Sequence, residues 1–130
     1  MAASIPDSHR DLLTAPGVAT LSTVDAKGMP QVTALWYLLD GDVVRTSLTT
    51  ARQKYRNVVT HPQATLFLLD PTNPYRSLEI RANATVEDDP GLAFMQRLVG
   101  HYGRDFDTFP APKEGRVILT LDPVRVVANG

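Results

Sequence analysis

Apolar and polar positions alternate along most of this chain, and the period changes in only a few places. Val18-Ala19-Thr20-Leu21-Ser22-Thr23-Val24 sets apolar residues between small polar ones, the pattern of a half-buried strand. Asp25-Ala26-Lys27-Gly28-Met29-Pro30 reads as a hairpin connection, with Gly28 free to take a positive φ. A second strand is expected over residues 31–39, turning at Asp40-Gly41-Asp42 into a third over residues 43–48. Strands joined by such short turns predict an antiparallel meander. Residues 64–69 form a buried strand and residues 70–76 a proline-rigid loop. Residues 77–87 form a long strand in which Glu79, Arg81, Asn83 and Thr85 alternate with Leu78, Ile80, Ala82, Ala84 and Val86. Two closing strands, 116–121 and 124–128, are separated by Asp122-Pro123.

A helical period takes over in three places. Asp7 or Ser8 can cap a short helix that turns Leu12 and Leu13 inward and ends at Pro16-Gly17. Thr50 and Gln53 have capping-box spacing, and the helix they open stops at His61-Pro62, because a residue before proline disfavours helical dihedrals. Asp88-Asp89-Pro90 opens the last helix with acids at its positive end, and Leu92, Phe94, Met95, Leu98 and Val99 make its apolar stripe. Residues 100–112 read as loop. The sum is a mainly β chain of roughly six to seven antiparallel strands with short helices. Closure into a small barrel removes the sheet edges and is preferred over an open sheet. With no repeat, low-complexity stretch or linker, residues 1–130 are expected to form a single domain.

Composition narrows the class of function. The formal net charge is −1, so bulk attraction to nucleic acid is not expected. The chain has no cysteine, which excludes disulfides, thiolate zinc sites and cysteine nucleophiles and fits a reducing compartment. Met1-Ala2-Ala3-Ser4-Ile5-Pro6 lacks the basic start and apolar core of a signal peptide, and no stretch approaches the roughly 20 apolar residues needed to span a bilayer. The expectation is a soluble cytoplasmic protein with neither membrane nor nucleic acid as partner.

Self-sufficient catalytic sets are missing. His9, His61 and His101 are scattered without metal-ligand spacing, so no metal site is expected. Ser22, Ser47 and Ser77 lack the glycine frame of a nucleophile elbow. The aspartates fall mostly in turns, and Glu79 with Arg81 reads as a surface or interface ion pair. An enzyme built on this chain would take its hard chemistry from a cofactor.

One stretch offers a seat for such a group. The strand over residues 43–48 runs out into Thr49-Thr50-Ala51-Arg52-Gln53-Lys54-Tyr55-Arg56-Asn57. A helix start presents unpaired N–H groups and partial positive charge, and two threonine hydroxyls with Arg52 and Lys54 complete an anion pocket suited to a phosphorylated small molecule. The other reading is that Thr50 only caps and the cations form a solvated face. At about 100° per residue Arg52 and Arg56 share a side while Lys54 points elsewhere. The spacing alone leaves both open.

Several motifs in order carry a family resemblance over residues 10 to 127: Gly17-Val18-Ala19-Thr20-Leu21-Ser22-Thr23, Gly28-Met29-Pro30-Gln31-Val32, Trp36-Tyr37, Arg52-Gln53-Lys54-Tyr55-Arg56-Asn57-Val58, His61-Pro62 and Asp70-Pro71-Thr72-Asn73-Pro74-Tyr75-Arg76. The chain resembles the pyridoxamine-phosphate-oxidase-like split β-barrel flavoproteins, and more narrowly the actinobacterial flavin/deazaflavin oxidoreductase B group, which binds coenzyme F-420. The resemblance implies an FMN-binding-type split barrel and a homodimer whose cofactor lies in a groove at the subunit interface. It implies that Ser47, Leu48 and Thr49 at the strand end, with Arg52 and Lys54, hold the cofactor phosphate. Gln31 and Thr33 would line its ring, Asn57 would pin the helix, and Tyr75 and Arg76 would reach across from the partner subunit.

The chain ends soon after its last strand, whereas true pyridoxamine-phosphate oxidases carry a further Arg/Trp-bearing segment, so that activity is not expected. The expected function is hydride transfer from reduced F-420 to an electron-poor conjugated small molecule, with Tyr37 and Tyr75 the only candidate proton donors. Arg45, Arg56 and Arg76 are expected along the path of the anionic F-420 tail. The alternatives are an FMN-dependent oxidoreductase on the same fold and a non-catalytic module that binds F-420, haem or another tetrapyrrole.

Overall fold

The computed structural model describes residues 3–130. The part of the leader expectation that rests on Met1 and Ala2 lies outside them. Seven strands follow in chain order: β1 (Ala19–Val24), β2 (Pro30–Leu35), β3 (Leu38–Asp40), β4 (Val43–Thr49), β5 (Gln63–Asp70), β6 (Asn73–Asp88) and β7 (Arg116–Asn129). They make one sheet in the order β2-β1-β5-β6-β7-β4-β3, and every pairing is antiparallel. The two edge strands, β2 and β3, are consecutive in the chain and are joined by Trp36-Tyr37 without pairing to each other. This is the expected split barrel: a sheet whose two edges meet covalently and not through a ladder.

The core follows from the alternation. Leu21, Leu66, Leu78, Ile80, Leu119 and Leu121 point inward from their strands, and Leu13 caps them from the short helix α1 (Asp11–Thr14). A satellite cluster of Leu38, Phe94 and Leu98, with Trp36 and Tyr102 against it, packs α3 (Ala93–His101) onto β3 and β4. Gly28 takes φ 86 in the β1–β2 turn, as that tight reversal requires. Among the described residues no helix is long and apolar enough to cross a membrane.

Four local expectations are corrected. The strand over 31–39 breaks at Trp36-Tyr37, because the Tyr37 ring is buried and its amide donates to the Tyr102 hydroxyl (3.1 Å) in place of a ladder partner. The 70–76 loop shrinks to the Pro71-Thr72 turn, since the Asp70 carboxylate accepts from both the amide and the hydroxyl of Thr72 and lets β6 begin at Asn73. The two closing strands are one: a register shift opposite Arg81/Ala82 absorbs Pro123 within β7. Neither Asp7 nor Ser8 caps α1, which follows a 3-10 turn over Asp7–His9, and the Ser8 hydroxyl bonds His9 Nδ1 instead.

Candidate functional site

The site forms where β4 leaves the sheet. β3 pairs with β4 only as far as Arg45, so Thr46 to Thr49 pair with β7 alone. Alternation then sorts the side chains. Leu48 is 2% exposed and sealed in the core, so it cannot line a ligand with its side chain, contrary to expectation. Thr49 is also buried, and Ser47 is half-buried.

Helix α2 (Gln53–Thr60) starts later than the capping-box spacing predicts. Arg52, with extended backbone, is the residue before it, and no side chain caps its N-terminus. Thr50 works across the sheet instead: its amide donates to the Gly115 carbonyl (3.0 Å). Gly115 has φ 65, and a Cβ there would lie 2.8 Å from the Thr50 hydroxyl oxygen, so glycine is what lets the two segments close. Gln53 is turned to Asn57, donating to Oδ1 at 2.8 Å.

Asn57 is the fixed point of α2. It is 2% exposed, and its amide donates to Thr23 Oγ1 and Gln31 Oε1, both at 3.0 Å. The helix is thereby pinned to β1 and β2 in the manner expected, and Gln31 is held in one orientation. Lys54, half-buried on the same helix, donates to Thr33 Oγ1 at 3.2 Å. Burial, and then the nearby Arg52, draw its pKa below the ordinary lysine value. The structure therefore brings Gln31, Thr33, Arg52 and Lys54 together.

Arg116 joins them unforeseen. It opens β7 in register with Thr49, donates from Nε to the Pro112 carbonyl (2.7 Å) and approaches Ser47 Oγ with Nη1 (3.4 Å). Burial and then Arg52 lower its pKa, while Asp89 acts in the opposite sense. That carboxylate is already engaged by the amides of Phe94 and Met95. Among the described residues, Arg52, Lys54 and Arg116 take part in no ion pair. Only the β4–β7 register puts Arg116 here, and no spacing in the chain signals it.

Other expected contributors are committed elsewhere. Arg76 bonds Asp11, Asp70 and the Ser8 carbonyl, with its side chain 17% exposed, so it clamps its own chain and is not free to reach a partner's ligand. Arg45 bonds Asp40 and Thr120 and is neutralised there, whereas the exposed Arg56 bonds only Gln53 and the Ala51 carbonyl and keeps its charge. The Tyr37 hydroxyl donates to the Leu12 carbonyl at 2.7 Å, and burial pushes its pKa up, so it is a structural donor and not a poised acid. Tyr75 is 84% exposed.

A cavity of about 300 Å³ adjoins the cations, with Trp36, Met95, Leu98 and Phe109 in its wall and Arg52 and Arg116 beside them. A larger one, about 570 Å³, lies near Leu12, Val18 and Leu69, but its charged lining residues are Asp11 and Asp70, the wrong sign for a phosphate.

Two half-buried cations, Lys54 and Arg116, and the exposed Arg52 thus gather beside hydroxyls at the end of a split-barrel strand. The chain belongs to the pyridoxamine 5'-phosphate oxidase family, whose model matches residues 5–129. A solved structure of an F420 reductase is 39% identical, with 95% of this chain and 98% of that one covered and a TM-score of 0.87. HutZ, the heme storage protein from Vibrio cholerae, is 15% identical over 98% of this chain and 96% of its own, with a TM-score of 0.71. General Stress Protein 26 from Bacillus anthracis is 14% identical over 92% and 88%, with a TM-score of 0.70. The last two share the fold alone. No curated protein matches the chain.

Proposed function

We propose that this protein is an oxidoreductase that binds coenzyme F-420 and reduces an electron-poor conjugated small molecule. The observation that carries the proposal is the set of three cations that take part in no ion pair among the described residues, Arg52, Lys54 and Arg116, beside the hydroxyls of Thr33 and Ser47. Burying like charges together is unfavourable unless an anion completes the arrangement. The 39% identity to an F420 reductase supports the choice of cofactor.

The residues fit the group. Lys54 and Arg52 would hold its phosphate, with the Thr33 and Ser47 hydroxyls donating to its oxygens. When bound, the reduced deazaflavin supplies the hydride. The chain's own part is to seat and orient. Asn57 fixes Gln31 on the β2 side, and half-burial strengthens each charge-assisted contact relative to water. Tyr75 is the remaining candidate donor of a proton, because Tyr37 is occupied within the fold.

FMN, whose single phosphate also suits Lys54 and Arg52, is the second reading. Parallel fluorescence titrations with F-420 and FMN decide between them. F-420 is expected to bind at least about tenfold more tightly, a difference of one charge-assisted contact. Tighter FMN binding would overturn the assignment.

The assembly we propose is a homodimer. Val18 and Val32 are each 62% exposed, with Phe67 at 40% and Leu69 at 48%, on one outer side of the β2-β1-β5 region. An apolar sheet face of this kind calls for cover, and a second copy supplies it. Sedimentation is expected to give a dimer; a monomer at micromolar concentration with full cofactor binding would defeat the proposal.

A further inference from the structure

We propose that the cavity between Trp36 and Phe109 binds a small flat aromatic acid, whose ring lies against these two side chains and whose carboxylate is held by Arg116 and Arg52. It would be the acceptor side of the F-420 site, and in that role it rests on the function proposed above.

The wall is a rigid aromatic platform. Trp36 stacks on Tyr102 with ring centres 4.2 Å apart and planes 6° from parallel. Tyr102 is itself fixed, its hydroxyl donating to the Gly17 carbonyl at 2.7 Å. Phe109 stands at an angle to Trp36, 5.4 Å away and tilted by 39°. Met95 and Leu98, both nearly fully buried, close the apolar side. A ring entering here meets surfaces already held in place, so little side-chain entropy is lost on binding.

The rim is cationic. Arg116 is held by Pro112 and Ser47 but has no ion-pair partner among the described residues, and Arg52 likewise has none. Arg104 lies over the Phe109 ring at 5.3 Å. The planar guanidinium matches a carboxylate with two parallel hydrogen bonds, a geometry that a lysine cannot offer. The neighbouring Asp89 does not compete, because its oxygens are taken by α3 amides.

Size and position separate this cavity from the phosphate seat. Lys54 and Thr33 do not line it, while Ser47, Arg52 and Arg116 stand at the boundary between the two. At about 300 Å³ it stands at the small end of ligand pockets, suited to one or two rings and too small for a three-ring deazaflavin with its side chain.

Trp36 is the chain's single tryptophan, so its fluorescence reports directly on this cavity. The probe is 4-nitrobenzoate, with nitrobenzene as the neutral control, titrated into the full-length protein with and without saturating F-420. Saturable quenching by the acid is expected, at least about tenfold tighter than by nitrobenzene, from the charge-assisted contact. Arg116→Gln and Phe109→Leu should each weaken it, with folding checked by circular dichroism, while Lys54→Ala leaves it unchanged. F-420 should not displace the probe.

Quenching that is linear and equal for acid and neutral compound overturns the proposal. So does competition with F-420, which would assign the cavity to the cofactor. If F-420 binds and the probe does not, the aromatic-acid site fails alone. If the probe binds and F-420 does not, the cavity stands as an aromatic-acid site and the F-420 reading fails.

Discussion

Two groups of cations on this molecule differ in one respect, and the difference separates fold from function. Arg76 is neutralised within its own chain: its hydrogen bonds to Asp11 and Asp70 raise its pKa and hold the Asp11 carboxyl below the ordinary aspartate range, while Asp70 is held there first by the Thr72 amide and then by Arg76. Asp40 likewise takes Arg45 and Arg97. At the end of β4, Lys54 and Arg116 meet hydroxyls, and burial, then the charge of Arg52, lowers the pKa of both. The first group ties the N-terminal turn to the β5–β6 hairpin. The second takes part in no ion pair among the described residues.

The largest effect that tests this contrast is on ligand affinity. Lys54→Ala is expected to weaken F-420 binding about 10- to 150-fold, the loss of one charge-assisted contact. The melting temperature should hold or rise, since a half-buried charge beside Arg52 is removed. A lower melting temperature with unchanged affinity would move Lys54 into the structural group.

Asn57→Ala should sharpen the comparison by affecting both properties. It strands the Thr23 hydroxyl and frees Gln31, and should cost about 1–3 kcal/mol in urea denaturation. F-420 affinity should fall with it, because Gln31 loses its fixed orientation. Full affinity in the variant would show that Gln31 does not touch the cofactor.

The smallest effect is expected for Arg76→Gln, which should lower the melting temperature and leave cofactor affinity unchanged. The sign of its pH dependence follows from the carboxyls. Their folded pKa values are depressed, so their contribution is present above the ordinary aspartate pKa and lost as pH falls through the lowered values. Below about pH 4 the parent should therefore lose stability more steeply than Arg76→Gln. Parallel melting curves with acid would return Arg76 to the candidate ligands.

Much of the fold was legible along the chain. The alternation in β1 and β6, the glycine turn after Asp25, the apolar stripe of α3 from Phe94 on and the Glu79–Arg81 pair are found as read, whereas β5, expected to be buried, exposes Phe67 and Leu69. Of the candidate site, Arg52 and Lys54 fall together because strand end and helix start are adjacent in sequence, while Thr33, on β2, was expected only from the resemblance. The break at Tyr37 was not, since it depends on Tyr102, 65 residues later. Nor was Thr50's true partner, Gly115.

The chain by itself determined which residues face inward and where its strands turn, because side-chain period and turn dihedrals are properties of neighbouring residues. Only the tertiary structure decided which cations are free. Arg76 finds Asp11 across 65 positions, while Arg116 comes beside Ser47 across 69. Charge pairing acts through space, so tertiary placement and not sequence distance gives one arginine its carboxylates and leaves the other without an ion pair among the described residues.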